Sequence, residues 1–260
     1  MWAWHYLSSC ALVARSWVWS SRSHQFRTLH FVYSRQRQQL SGLLDLIRSP
    51  ICTINNHVFE INLDFLTLLA SDMMSLASLS KIRSIELRGP PWPSPPEVAS
   101  WQDGLSTLLA SFTHLTTLEI SFVSFTSLSP FATLAGACSN LQTLSIRIAY
   151  LPLGSPSDTY PPRHFPPPAM RSLRVTESGG RCDALYDWLS SAPKPLRIDS
   201  IVIRTCGREY TASLLGLLRN AEPSLENLAI YTPESKCHVS ACFAQAWTNR
   251  TYRSTSSTTP

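Results

Sequence analysis

The chain has 260 residues, 44% of them hydrophobic and 15% charged, which is enough apolar content to bury a sizeable core in one elongated domain. Its net charge of +5 is uneven, because Arg15, Arg22, Arg27, Arg35 and Arg37 precede the first acidic residue, Asp45, and the other 17 basic side chains balance 17 acidic ones. That balance excludes a nucleic-acid groove along the body, which would need a sustained basic stripe. The longest run free of Asp, Glu, Lys and Arg, 120–146, is interrupted by Ser, Thr, Pro130, Asn140 and Gln142, which excludes it as a membrane span.

The start, MWAWHYLSSCALVA, is apolar without a basic flank, and Arg15 and Trp17 interrupt it, so it does not read as a cleaved signal peptide. Within 7–31, LSSCALVARSWVWSSRSHQFRTLHF, the residues Cys10, Val13 and Trp17 fall at helical spacing and form one apolar stripe with Leu7 ahead of them. A weak strand signal follows at Phe26-Leu29-Phe31.

Seven stronger copies of the same spacing then occur: Val58-Ile61-Leu63, Ile82-Ile85-Leu87, Leu115-Leu118-Ile120, Leu141-Leu144-Ile146, Met170-Leu173-Val175, Ile198-Ile201-Ile203 and Leu225-Leu228-Ile230. Successive copies lie 24, 33, 26, 29, 28 and 27 residues apart. The last two apolar residues of each triplet are two positions apart and share one face of an extended strand. A short strand cannot hide that face alone, but stacked parallel copies bury it continuously. Each buried aliphatic side chain contributes roughly 1.5–3 kcal/mol.

Between the copies, helical spacing predicts returns over 65–79, 98–109, 183–189 and 211–218, the last two stopped by Pro193 and Pro223. The return from Ile146 to Met170 holds Pro152, Pro156, Pro161, Pro162, Pro166, Pro167 and Pro168, and is expected to be an extended loop. Pro90, Pro91, Pro93, Pro95 and Pro96 account for the long step before Leu115. The last dozen residues are Ser/Thr-rich and are expected to be disordered. Cys242 to Trp247 is expected to cover the final strand as a brief helix.

The triplets at this period resemble leucine-rich repeats. The implied fold is an α/β solenoid with parallel strands on a concave side, helices and Pro-rich loops on a convex side, and a short N-terminal helical cap. Its expected divisions are 1–25 for the cap, 26–232 for the repeats and 233–260 for the tail. The segment 7–31, with its Cys/Leu/Val face and Arg-Ser-Trp around Trp17, resembles the second half of a fungal F-box. The Leu-Pro helix that opens an F-box is not in the sequence, so the resemblance is to the C-terminal half alone. It implies that Leu7, Cys10, Val13 and Trp17 face a Skp-type adaptor of a cullin-RING ubiquitin ligase, while the repeats select a protein target. A stand-alone repeat scaffold with no ligase link is the other open reading.

With the triplets facing inward, the alternate residues form columns on the other face. Acids cluster early, at Glu60, Asp64, Glu86 and Glu119; arginines cluster late, at Arg147, Arg174 and Arg204, next to Tyr231. Such a polarised face would orient a protein partner of opposite gradient. No catalytic, cofactor-binding or metal-binding residues are expected. Cys237, His238 and Cys242 lack a second ligand pair, Asp183 and Asp187 sit at a helix start, and GxSxG and Gly-rich phosphate loops are absent. Cys138, three residues before Leu141, is read as core. His57 and His114 both precede the first apolar residue of a triplet and read as repeat features. Seven cysteines, an odd number, suit an intracellular location, cytoplasmic or nuclear.

Overall fold

A computed structural model of the chain describes residues 15–31, 36–49, 52, 54–64, 70–89, 98–121, 125, 128–148, 165–177, 182–204 and 211–231. Among them are eight strands: β1 (Thr28–His30), β2 (Glu60–Asp64), β3 (Ser84–Arg88), β4 (Thr117–Ser121), β5 (Thr143–Ile148), β6 (Ser172–Glu177), β7 (Ser200–Arg204) and β8 (Asn227–Tyr231). They form one parallel sheet in the order β1 to β8. The helices are α1 (Arg15–Phe26), α2 (Gln36–Arg48), α3 (Ala70–Leu76), α4 (Val98–Ser111), α5 (Leu128–Gly136), α6 (Asp183–Ser190) and α7 (Thr211–Ala221).

The triplets set the register. Ile61, Ile85, Leu118, Leu144, Leu173, Ile201 and Leu228 align across the sheet, and so do Leu63, Leu87, Ile120, Ile146, Val175, Ile203 and Ile230. From β2 to β7 every member of both rows is buried, at 2% exposure or less. The weak copy is real, since Leu29 of β1 aligns with Ile61.

A repeated backbone motif holds the repeats together. The carbonyl of Arg27 accepts the N–H groups of Phe59 and Glu60, that of Phe59 accepts those of Arg83 and Ser84, and that of Arg83 accepts those of Thr116 and Thr117. The same two-donor arrangement continues through the carbonyls of Thr116, Gln142, Arg171 and Asp199, all at 2.8–3.1 Å. Each strand entrance thus satisfies its backbone donors on the preceding repeat, as buried chain requires.

In the triplets of β3, β4, β5 and β6 the first residue closes a short turn under the strand, Met170 N–H donating to Pro167 O in the last of them. Leu79 N–H donates to Leu76 O and Ile82 N–H to Leu79 O; Phe112 to Leu109 and Leu115 to Phe112; Cys138 to Ala135 and Leu141 to Cys138. Cys138 is therefore the counterpart of Leu79 and Phe112, and it is buried as the sequence predicts.

The helices share one core with the inward rows. Leu40, Leu43, Leu44 and Ile47 of α2, Leu105, Leu108 and Leu109 of α4, and Leu214, Leu217 and Leu218 of α7 are all buried in it. Successive helices from α2 to α7 pack side by side. Between α5 and α6, separated in sequence by two strands, aromatic side chains fill the gap: Phe131 meets Phe125 and Trp188 edge-on, both at 5.6 Å between centroids.

Three helical expectations are matched by α4, α6 and α7. The fourth is shorter than its spacing suggests, since α3 ends at Leu76 where the turn to Leu79 begins, and 65–69 lie outside the described residues. Two helices, α2 and α5, were not expected. In α5, Pro130 sits in the first turn, where its missing N–H costs no helical hydrogen bond. Most of the Pro-rich return, 149–164, lies outside the described residues, and so does 232–260 with its expected covering helix and tail.

Candidate interaction surface

The alternate strand residues stand on the sheet face away from the helix-packed core. Register places them in three rows, which from β2 onward are the columns read from the sequence and which β1 extends by Thr28 and His30. The first runs Thr28, Glu60, Ser84, Thr117, Thr143, Ser172, Ser200, Asn227. The second runs His30, Asn62, Glu86, Glu119, Ser145, Arg174, Val202, Ala229. The third runs Asp64, Arg88, Ser121, Arg147, Thr176, Arg204, Tyr231.

Seven of the eight expected face residues, Glu60, Glu86, Glu119, Arg147, Arg174, Arg204 and Tyr231, are brought together here. Asp64 is placed by its backbone opposite Arg88, and its side chain lies outside the described set. Of the expected adaptor-facing residues, Leu7, Cys10 and Val13 lie outside the described residues, and Trp17 falls within α1 with its side chain undescribed. Cys237, His238 and Cys242 also lie outside them.

The polar groups of this face are not independent. Thr28 Oγ1 donates to Glu60 Oε2 at 2.9 Å, and Asn62 Nδ2 lies 2.7 Å from His30 Nδ1. In mid-sheet, Arg88 grips Glu86 with two donors, Nε to Oε1 at 2.7 Å and Nη2 to Oε2 at 2.9 Å. That hydrogen bond raises the Arg88 pKa above its ordinary value, against the pull of desolvation, and the nearby charges of Glu86 and Glu119 raise it further. Arg147 Nη2 reaches Glu119 Oε1 at 3.2 Å, and Ser121 Oγ lies 3.5 Å from the same oxygen.

These pairs modify the expected gradient. Glu86 and Glu119 are adjacent in one row, but each has an arginine, and Arg147, expected to act with the late arginines, is engaged by Glu119. The Glu86–Arg88 pair is legible in sequence as two residues of one strand two positions apart. The Glu119–Arg147 pair is diagonal between strands and needs the register. At the far end, the guanidinium of Arg204 lies over the Tyr231 ring, 5.1 Å from its centroid. These two residues are register partners on β7 and β8.

Other titratable groups lie below the sheet. His57 is buried, and its imidazole pKa is lowered by burial first and by the charge of Arg22 second. Burial pushes the Cys138 thiol up to about 12. Among the described residues, no group of three or more His, Cys, Asp or Glu side chains is placed to hold a metal ion. No described helix is long and apolar enough to cross a membrane.

A scan of protein-family models and a search of curated proteins return no match to the chain. The arrangement defines the class as an α/β protein with a single eight-stranded parallel sheet, one face packed with helices and the other lined by ordered rows of polar side chains.

Proposed function

We propose that the chain is a protein-binding repeat module, a leucine-rich-repeat solenoid of the F-box type that selects a target for a cullin-RING ubiquitin ligase. The observation that carries this reading is the constant register of seven triplets in eight sequentially ordered parallel strands, joined by one recurring backbone motif. Sequential order with the return elements gathered in one core is what stacked repeats require, and it leaves a whole sheet face for a partner. The F-box part rests on the resemblance of 7–31, in which Trp17 belongs to α1.

A second reading, a stand-alone scaffold, is favoured by the position of α1. One residue, Arg27, separates it from β1, and Phe26 packs against the common core, as an end cap would. Titrating the full chain with a purified Skp-type adaptor separates the two. A one-to-one complex that Trp17→Ala weakens supports the ligase subunit; no complex removes the ligase link and leaves the scaffold.

A further inference from the structure

The arginines of the open face divide into two kinds. Arg88 and Arg147 are engaged by Glu86 and Glu119. Arg174 on β6 and Arg204 on β7 are exposed and have no carboxylate partner among the described residues. Around them the rows carry no acid from β5 to β8: Val202 and Ala229 continue the row of Arg174, and Thr176 and Tyr231 flank Arg204.

Spacing gives this pair a definite ligand geometry. Arg174 and Arg204 are diagonal neighbours, one strand across and one same-face step along, which separates their Cβ atoms by about 7–8 Å. Same-side residues of an extended peptide recur every second position, roughly 6.5–7 Å apart. Two carboxylates spaced i, i+2 on such a peptide therefore match the two guanidiniums. Stacking on Tyr231 orients Arg204 while leaving its in-plane N–H groups available, the geometry suited to a bidentate carboxylate.

The acidic end does not cancel this site. Glu60 on β2 is five strands from Arg204, roughly 24 Å at the usual strand separation, against a Debye length of about 8 Å at physiological salt. Glu119 is two strands from Arg174 and already holds Arg147.

We propose that the open face over β6–β8 docks an extended acidic segment of a partner protein, one carboxylate on Arg174 and another two residues away on Arg204. This rests on the reading of the open face as the partner surface and adds the chemistry of what is recognised. Neutral segments gain nothing from the pair, and basic ones are repelled.

The test uses the folded full chain and fluorescein-labelled twelve-residue peptides with Glu at alternate positions, against the same peptides with Gln. The expected result is binding of the Glu peptide alone, weakened at least tenfold by Arg174→Glu with Arg204→Glu, and weakened by salt; circular dichroism confirms that the variant is folded. Equal binding of both peptides, or an unchanged double variant, overturns the proposal. A photo-crosslinking residue at position 200 on the open face, or at 74 on α3, then samples a random peptide library. Capture of acid-rich peptides from position 200 supports the proposal. Capture there without acidic bias overturns acidic docking while the open face stands as a binding surface, and capture only from position 74 overturns both.

Discussion

Arg204 and Tyr231 face each other across the last two strands, with the guanidinium 5.1 Å above the ring centroid. The contact is exposed, so its effect on stability is small, but it fixes the direction of the arginine fork. Tyr231→Leu keeps an apolar side chain and removes the ring face. The expected outcome is a two- to fivefold loss of affinity for the acidic peptide, following from about 0.5–1 kcal/mol for an exposed cation–π contact. Fluorescence anisotropy reads the affinity, and an unfolding midpoint that also drops sharply would assign Tyr231 a structural role instead.

Glu119 holds Arg147 at 3.2 Å and withdraws it from the face. Glu119→Gln removes the charge and retains the shape. Loss of a surface ion pair costs about 0–1 kcal/mol of stability. The released Arg147 adds a third uncompensated guanidinium two strands from Arg204, so affinity for the acidic peptide is expected to rise about two- to fivefold at low salt, an increment of roughly 0.5–1 kcal/mol. Titrations of both proteins at two ionic strengths check this, and a fall in affinity would mean that Glu119 itself contributes to recognition.

Position in a row decides what a core leucine is worth. Leu144 and Leu228 occupy the same row, but Leu144 is 0% exposed between two strands and Leu228 is 36% exposed on β8, the last of the described strands. Leu144→Ala is expected to cost about 2–5 kcal/mol through lost burial and a cavity. Leu228→Ala opens no enclosed cavity and is expected to cost under about 1.5 kcal/mol, less than full burial of a leucine contributes. Urea denaturation of the two variants gives the comparison directly, and equal losses would show that β8 is covered on its outer side.

The strands were legible because each triplet carries an i, i+2 pair on one face, and in β3 to β6 its first residue also closes the turn below. The weak copy at Phe26-Leu29-Phe31 marks β1 through Leu29, which aligns with Ile61, while Phe26 ends α1. Helix α2 was equally available from Leu40, Leu43, Leu44 and Ile47 at helical spacing, all of them buried. Helix α5 was obscured by Pro130 and by Ser and Thr, which interrupt the apolar run, although the proline occupies a first turn. The rows of the open face followed from register alone. The pairing within them did not, because Arg147 reaches diagonally to Glu119, and side-chain direction is not encoded in strand spacing.

Cys138 tests whether the strand-entry turn is as closed as its hydrogen bonds imply. Its Sγ lies 3.5 Å from Leu134 O, and burial pushes the thiol pKa up to about 12, so almost no reactive thiolate exists at pH 8. Cys52 is only partly buried. Alkylation of the native protein at pH 8 is expected to modify Cys52 well before Cys138, with the difference vanishing in urea, as peptide mass spectrometry would record. Rapid native labelling of Cys138 would mean that this turn opens locally at low cost.

His57 makes the first repeat sensitive to acid. Its folded-state pKa lies below the ordinary 6.5, through burial and then the positive charge of Arg22. The unfolded chain therefore binds a proton that the folded chain resists, and stability depends on pH wherever the two states differ in bound protons. The stabilisation is complete above about pH 6.5, the unfolded-state value, and is lost as the pH falls from there through the folded-state value. His57→Gln carries no titrating group at this position and is expected to show a flatter profile, even if its stability at pH 7.5 is lower. Urea denaturation of both proteins between pH 7.5 and 5 gives the slopes. If the variant loses stability over that range as steeply as the parent, the acid sensitivity belongs to another group.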